Sequence, residues 1–381
     1  MSIVKVVILG QGYVASIFAI GLERIKNGEI EPYGIPLKNE LPIKFVEIKI
    51  VGSYDVDKSK IEKSIFEVAQ NYWSGKIPET LKDIKIKKGV HLKSLRNLPI
   101  EAEGLEDGLS LNEAVERLVE EWKSLEPDVI VNVCTTESFI PFGSKEKLIE
   151  TIEKDKKEEI TATQVYAYAA ALYAKEVGGA TFVNAIPTLI ANDPAFVELA
   201  KENNLVIFGD DGATGATPLT ADILSHLAQR NRYVKSIAQF NIGGNTDFLA
   251  LTDEERNKSK EFTKSSIVKD ILGYETPHFI KPTGFLEPLG DKKFISMHIE
   301  YISFNEAIDE LIINGRINDS PALAGLIVDL VRLGKMAIQK KEFGTLYPVN
   351  AFYMKNPGPK EMCNLPRILA FEKLKQWIGN L

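Results

Sequence analysis

"IVKVVILGQGYVASIFAIGLERI", residues 3–25, decides how the rest of the chain is read. An apolar run ends at Gly10, a second glycine follows at Gly12, and Ala15, Ile17, Phe18 and Ile20 then recur at helical spacing. Apolar strand, glycine turn and amphipathic helix is the order of a dinucleotide-binding unit. Glycines let the backbone approach a pyrophosphate, and the helix N-terminus offers amide donors to it. Ala15 takes the third position of that fingerprint, small enough for close helix packing, and Ser16 follows at the helix start. An ordinary strand-to-helix turn has the same local pattern, so the flanking sequence must separate the two.

Downstream, "FVEIKIVGSYDVDKSKI" (45–61) reads as a second strand ending on Asp55 and Asp57. A carboxylate there accepts hydrogen bonds from an adenosine ribose, which favours NAD over its phosphorylated form. The Pro- and Gly-containing loop "NGEIEPYGIPLKNELP" (27–42) lengthens the usual gap between the glycines and that acid. Residues 61–125 read as helices and polar connectors. The clearest helix is "LSLNEAVERLVEEWKSL" (109–125), whose apolar face is Leu111, Ala114, Val115, Leu118 and Trp122.

"PDVIVNVCTTE" (127–137) is a buried strand whose chain emerges at Thr135 and Thr136, on the carboxyl edge where open α/β sheets bind ligands. A helix (161–178), a strand (180–187) and the strand "NNLVIFGDD" (203–211) continue the alternation. The pattern predicts an α/β, Rossmann-like, doubly wound parallel sheet forming an NAD-binding domain over residues 1–240. Beyond it the texture changes. Alternation at Ile295, Met297, Ile299 and Tyr301 gives one apolar sheet face, predicting an inserted α+β catalytic and oligomerisation domain over 241–318. A long apolar helix after Asn318, Asp319 and Ser320, read as capping residues, opens a C-terminal segment, 319–381, that returns to the first domain.

The chain of 381 residues is 44% hydrophobic and 26% charged, the balance of a globular protein, and no apolar run reaches the ~20 residues that span a bilayer. Its net charge of −7, from 46 basic and 53 acidic residues, argues against a general nucleic-acid surface while leaving room for a local basic pocket. Cys134 and Cys363 fit no disulfide or metal spacing, and a reduced cytoplasmic setting follows. The four histidines, His91, His226, His278 and His298, show no metal-ligand spacing, and neither a nucleophile elbow nor a phosphate-loop lysine is present.

What remains for chemistry is glycine-rich loops and lysines. "GQGYVAS", "CTTE", "GDDGATGATPL" and "NIGGNTDF" each combine glycines, small hydroxyls or carboxylates, as plain turns and ligand loops both do. Lys260 and Lys264 lie four apart in "SKEFTKSS" (259–266), where like charges on one helix face repel unless an anion sits between them. Lys293 precedes a strand and Lys355 follows an apolar run, so both are candidates for withdrawal from water. Most lysines are solvated. A desolvated one, however, exchanges protons near neutrality or stabilises an oxyanion.

In order, "GQGYVAS", "SYDVD", "VNVCTTE", "FVNAIP", "FGDDGATGAT", "NIGGNTDF", "SKEFTKSS", "LGDKK", "NDSPALAGLIVDLVR" and "FYMKNP" resemble the myo-inositol-1-phosphate synthases, particularly the shorter archaeal type. The resemblance covers essentially the whole chain. It implies an NAD-dependent isomerase that converts glucose 6-phosphate to inositol phosphate by internal oxidation, enolisation, intramolecular aldol closure and reduction, in a homotetramer without nucleic-acid or membrane partners. It implies proton transfer and oxyanion stabilisation by Lys260, Lys293 and Lys355, with Asp319 positioning a lysine. Lys264 with Ser265, Ser266 and Asn245 would take the substrate.

On the cofactor side the resemblance places Gly10, Gly12, Val14, Ala15 and Ser16, then Asp55, Thr135 and Thr136, and finally Asp211, Ala213, Thr214, Asp247 and Ser320. Ala213 and Thr214 stand where many relatives carry a lysine or glutamine. Archaeal relatives tend to require a divalent cation, for which Asp247 and Ser320 are the candidate sites and the metal is unknown. Two other readings share the cofactor domain: a net NAD(P)-dependent dehydrogenase of a small phosphorylated or amino-acid substrate, and a non-enzymatic NAD-sensing or scaffold protein that keeps the fold. NADH accumulation with substrate marks the first, and indifference to loss of Lys260 or Lys355 marks the second.

Overall fold

The computed structural model describes residues 3–92 and 94–379, with the side chains of 259–266 outside the described set. In chain order the first part runs β1 (Val4–Leu9), α1 (Tyr13–Lys26), β2 (Ile48–Asp55), α2 (Ile65–Ala69), β3 (Ile86–Lys88), α3 (Leu111–Leu125), β4 (Val129–Asn132), α4 (Lys145–Glu153) and α5 (Ala162–Val177). It continues through β5 (Ala180–Asn184), α6 (Pro194–Glu202), β6 (Leu205–Phe208) and α7 (Ala216–Ala228). The second part holds β7 (Tyr233–Gly243), α8 (Thr246–Ala250), α9 (Glu254–Leu272), β8 (His278–Phe285), β9 (Lys292–Ile302) and β10 (Ile308–Asn318). The chain ends with α10 (Asp319–Lys340), β11 (Gly344–Thr345), α11 (Tyr347–Tyr353) and α12 (Arg367–Gly379).

Among the described residues the first sheet has seven strands in the order β11-β6-β5-β4-β1-β2-β3, and every pairing in it is parallel. The strand order reverses between β1 and β4, which opens a crevice at their carboxyl ends. Register aligns that edge: Leu9 pairs with both Tyr54 and Asn132, and Asn132 pairs in turn with Asn184. The residues that follow these four therefore emerge side by side. β3 is an edge strand within the stretch expected to hold only helices and connectors; three residues are too short to show a period.

Both faces of this sheet are covered, which is why its central strands β4 and β6 are almost continuously apolar and buried at every position. α3 and α5 close one face. The α3 stripe of Leu111, Ala114, Val115, Leu118, Val119 and Trp122 is buried throughout, at about 1.5–3 kcal/mol for each larger side chain. Ser110 caps α3 by accepting from the Glu113 amide, and the Glu113 carboxylate accepts from the Ser110 amide in return. α1 and α10 close the other face, with Ala324, Ile327, Val328, Val331 and Leu333 in the same core as Phe18, Ala19 and Leu22. β11 pairs with β6 at the edge of the same sheet.

The second sheet, β10-β9-β7-β8, is antiparallel except where β7 and β8 run parallel. Ile295, Met297, Ile299 and Tyr301 are all buried on one face, against Leu224 and Leu227 of α7 and Ile267 and Val268 of α9. Because α7 and β7 already belong to this core, the second lobe begins before residue 240. Asn318 occupies the cap position of α10 without a side-chain cap hydrogen bond. That role falls to a distant acid described below.

Candidate active site

The glycine turn sits where β1, β2 and β4 end. Gly10 has φ +92°, and a Cβ there would stand 2.9 Å from the Cys134 Cα, so the first turn position tolerates no side chain. Nothing lies within 4 Å of a Cβ placed on Gly12, which stands in the N-cap position of α1 and offers no side-chain cap. An uncapped helix N-terminus beside open space is the donor set a pyrophosphate needs, so the residues present fit a dinucleotide. Asp55, from the end of β2, binds the turn itself. Its Oδ2 accepts from the Gln11 amide (2.7 Å) and Lys60 Nζ (3.2 Å), and its Oδ1 from the amides of Val56 and Asp57.

Two lysine–carboxylate pairs face the same cavity, whose volume is about 480 Å³. Lys293, at the start of β9, reaches Asp319 at the start of α10, with Nζ 2.9 Å from Oδ1 and 2.8 Å from Oδ2. Its ammonium also stands 5.9 Å from the Phe248 ring centre, within cation–π range. Lys355, after α11, reaches Asp211, in the loop after β6, at 2.9 Å. Both members of this second pair are buried, at 7% and 1% side-chain exposure. Backbone bonds register it: Lys355 N donates to Asp211 O, and Ala213 N to Tyr353 O.

Asp291, absent from the sequence-based candidates, organises the wall between the lobes. Its Oδ2 accepts from Ser320 N (2.9 Å), while its Oδ1 accepts from Ser320 Oγ (2.6 Å) and Asn245 Nδ2 (3.0 Å). It therefore caps α10 from 29 residues away. Burial pushes its carboxyl above the usual carboxylate range against those hydrogen bonds, and the Asp319 charge adds to the rise. The signal was present in "LGDKK", but its partners belong to other elements. A second tie crosses the lobes at Thr136, whose hydroxyl donates to Asp247 Oδ1 at 2.6 Å. Arg256 of α9, 5% exposed, donates to the carbonyls of Thr136 and Arg96, fastening α9 to the loop after β4.

Of the residues expected on the cofactor side, Gly10, Gly12, Val14 and Asp55 line the cavity. So do Thr135, Thr136, Asp211, Thr214 and Asp247 from the neighbouring loops. Ala15 and Ser16 pack beneath the turn, both buried, with Ser16 Oγ accepting from Gln11 Nε2, and Ala213 is likewise buried behind the wall. Asn245, Lys293, Asp319, Ser320 and Lys355 complete the lining toward the second lobe. Lys260, Lys264, Ser265 and Ser266 lie outside the described residues. α9 begins at Glu254 with Asp253 as its cap, so the helix does not open at Ser265.

Asp247 and Ser320 fit poorly as a cation site. Asp247 accepts from Thr136, and the Ser320 hydroxyl is committed to Asp291. Among the described residues, the His, Cys, Asp and Glu side chains whose donor atoms converge to within 4.8 Å are His91, Glu106 and Asp107, none of which lines the cavity.

Fold and site together define a two-lobed α/β protein of the dinucleotide-binding class, with lysine–carboxylate pairs where the lobes meet. The family model for myo-inositol-1-phosphate synthase matches residues 215–320, the span that holds Asn245, Asp247, Asp291, Lys293 and Asp319. A crystal structure of a myo-inositol-1-phosphate synthase-related protein from Thermotoga maritima is 72% identical, over 99% of this chain and 98% of that one, with a TM-score of 0.95. The inositol-3-phosphate synthase of Mycobacterium tuberculosis H37Rv is 28% identical over 98% of this chain and 95% of its own. That of Caenorhabditis elegans, 17% identical, shares the fold with a TM-score of 0.83 over 99% of this chain and 86% of that chain. The chain belongs to the myo-inositol-1-phosphate synthase family.

Proposed function

We propose that this chain is an NAD-dependent inositol-3-phosphate synthase, converting D-glucose 6-phosphate to 1L-myo-inositol 1-phosphate. The observation that carries the reading is the pairing of Lys293 with Asp319 and Lys355 with Asp211 in one cavity with the glycine turn. NAD, when bound, supplies a hydride acceptor that later returns the hydride, so the isomerisation has no net redox change. Gly10, Gly12 and the α1 amides would hold its pyrophosphate.

The chain's own work is at oxygens and protons. Enolising a ketone and closing a ring by aldol addition both place negative charge on oxygen, and an ammonium fixed in a cavity stabilises that charge without reorganising. Lys293 and Lys355, the described lysines on the second-lobe and Asp211 side of the cavity, can do so, and each Nζ can pass a proton to the oxygen it holds. Asp319 and Asp211 orient them. Lys260, with Lys264, Ser265 and Ser266 for the phosphate, completes the assignment through the "SKEFTKSS" motif.

No helix among the described residues is long and apolar enough to cross a membrane, and a cytoplasmic site of action is part of this proposal. So is a homotetramer. Ile312, His298, Ala238 and Phe279 form one row across the outer face of the second sheet, where Ile312 is 67% and Phe279 39% exposed. Incubation of the purified chain with glucose 6-phosphate and NAD, with and without divalent cations, tests the reaction through phosphorus NMR of the product. Inositol phosphate is expected. Unchanged substrate under every condition, or steady NADH accumulation, would overturn the assignment.

A further inference from the structure

The loop between β3 and α3 gathers three residues that their spacing along the chain does not mark as a ligand set. His91 Nε2 lies 3.0 Å from Asp107 Oδ1 and 3.4 Å from Glu106 Oε1, and donor atoms of all three converge within 4.8 Å. Glu106 carries a second observation. Its side chain is 4% exposed, Oε1 accepts from the amides of His91 and Leu92, and the buried Oε2 accepts no hydrogen bond from the described residues. A buried carboxylate oxygen without a donor is costly unless a cation comes to it. That oxygen shares a spot with the imidazole edge: a Cβ on Gly104 would stand 2.2 Å from Oε2 and 2.6 Å from His91 Cδ2. Asp107 is half exposed, which leaves a path from solvent. Against the desolvation that raises it, the Gly104 amide and His91 hold its carboxyl below the usual range, so it stands ionised as a ligand must.

We propose that His91 Nε2, Glu106 Oε2 and Asp107 Oδ1 bind a divalent transition-metal ion, zinc above all, at a structural site separate from the dinucleotide cavity. One imidazole with two carboxylates suits such an ion, whereas magnesium and calcium take oxygen ligands alone. Ligand atoms on a tetrahedron with arms of about 2.0–2.2 Å lie about 3.3–3.6 Å apart, close to the separations His91 Nε2 already has from the two carboxylates. With the imidazole proton on Nδ1, the Nε2 lone pair is presented to the ion, and water takes the fourth position on the open side. None of the three residues lines the cavity, but Val90, Ser94, Leu95 and Ile100 of the same loop do, so a bound ion braces part of the cavity wall. The site stands whether or not the catalytic reading holds.

Calorimetric titration of zinc and of magnesium into the purified, chelator-stripped and dinucleotide-free chain tests the site, beside visible spectra of the cobalt-loaded protein. The wild type, His91→Gln and Asp107→Asn are compared. The wild type is expected to take up zinc at least about tenfold more tightly than magnesium and to give cobalt the intense bands of a four-coordinate site. Each variant should weaken zinc by about tenfold or more and lose those bands, since even the groups that only orient a ligand are worth that much. Asparagine at 107 keeps an oxygen for the Gly104 amide, so Asp107→Asn removes the ligand charge while the loop holds its shape. Zinc bound no more tightly than magnesium, or a zinc affinity unmoved in both variants, would overturn the site.

Discussion

Lys293 and Asp319 meet through both carboxylate oxygens, at 2.9 and 2.8 Å, although 26 residues separate them. The hairpin of β9 and β10 makes the meeting: its register pairs Lys292 with Asn318, so the residues just inside and just beyond that rung lie together. A slip of one residue would turn Lys293 to the other face of the sheet.

Replacing Lys293 with Met should therefore act on chemistry more than on cofactor binding. A fall in kcat of about 10²–10⁴, the usual range for a positioned proton-transfer group, is expected, with dinucleotide affinity held within about threefold. Asp319→Asn should show the same direction with a smaller loss. Steady-state rates beside calorimetric binding separate the two effects, and a Lys293→Met kcat within threefold of wild type would refute the role.

Gly215 supports the same lysine from below. It has φ +62°, and a Cβ on it would stand 2.7 Å from Lys293 Nζ and 3.1 Å from Asp319 Oδ1. Gly215→Ala should cost about 1–2 kcal/mol of stability through its left-handed backbone and should also displace the pair. Chemical denaturation and kcat measured together check this. An alanine variant with full kcat would mean that the Lys293 position is not critical.

The buried pair of Lys355 and Asp211 predicts an asymmetry. Removing one partner breaks a buried ion pair and leaves its charge imbalance away from water, so Asp211→Leu alone should destabilise by up to about 3–5 kcal/mol, and Asp211→Leu with Lys355→Met should lose less than the sum of the two single variants. Both proteins should be inactive. Urea unfolding of the singles and the double measures the coupling, and additive losses would show that the pair is not closely coupled.

Asp210 gives a pH signature. Fully buried, its carboxyl is pushed up to about 6 from 3.8, even with Asn184, Asn192 and the amides of Ile190 and Ala191 donating to it. A raised acid contributes stability that is present below the unfolded value and lost as pH rises through the folded one. Relative to Asp210→Asn, the wild type should therefore lose roughly 3 kcal/mol between about pH 4 and 7. Denaturant titrations of both proteins across that range test it. A difference that stays flat with pH would show that the group ionises normally.

The local elements were legible because they are written in local periodicity. The apolar run to Leu9, the turn at Gly10 and Gly12, and the stripe Ile295, Met297, Ile299 and Tyr301 each carry their period within a dozen residues. The edge strand β3 was missed because three residues have no period, and the cap of α10 was misassigned because its acceptor, Asp291, comes from another element.

By itself, the sequence determined the strand–helix alternation at the centre of the first sheet, the glycine turn and the motifs that carry Lys293, Lys355, Asp319 and Asp211. Tertiary structure alone decided what those groups touch. Lys355 finds Asp211 across 144 residues, Ser320 finds Asp291 across 29, and Asp55 spends itself on the turn and Lys60. The physical reason is that side-chain period follows from the next few residues, whereas a charge's partner follows from strand register and crossover packing, which bring distant residues to one sheet edge.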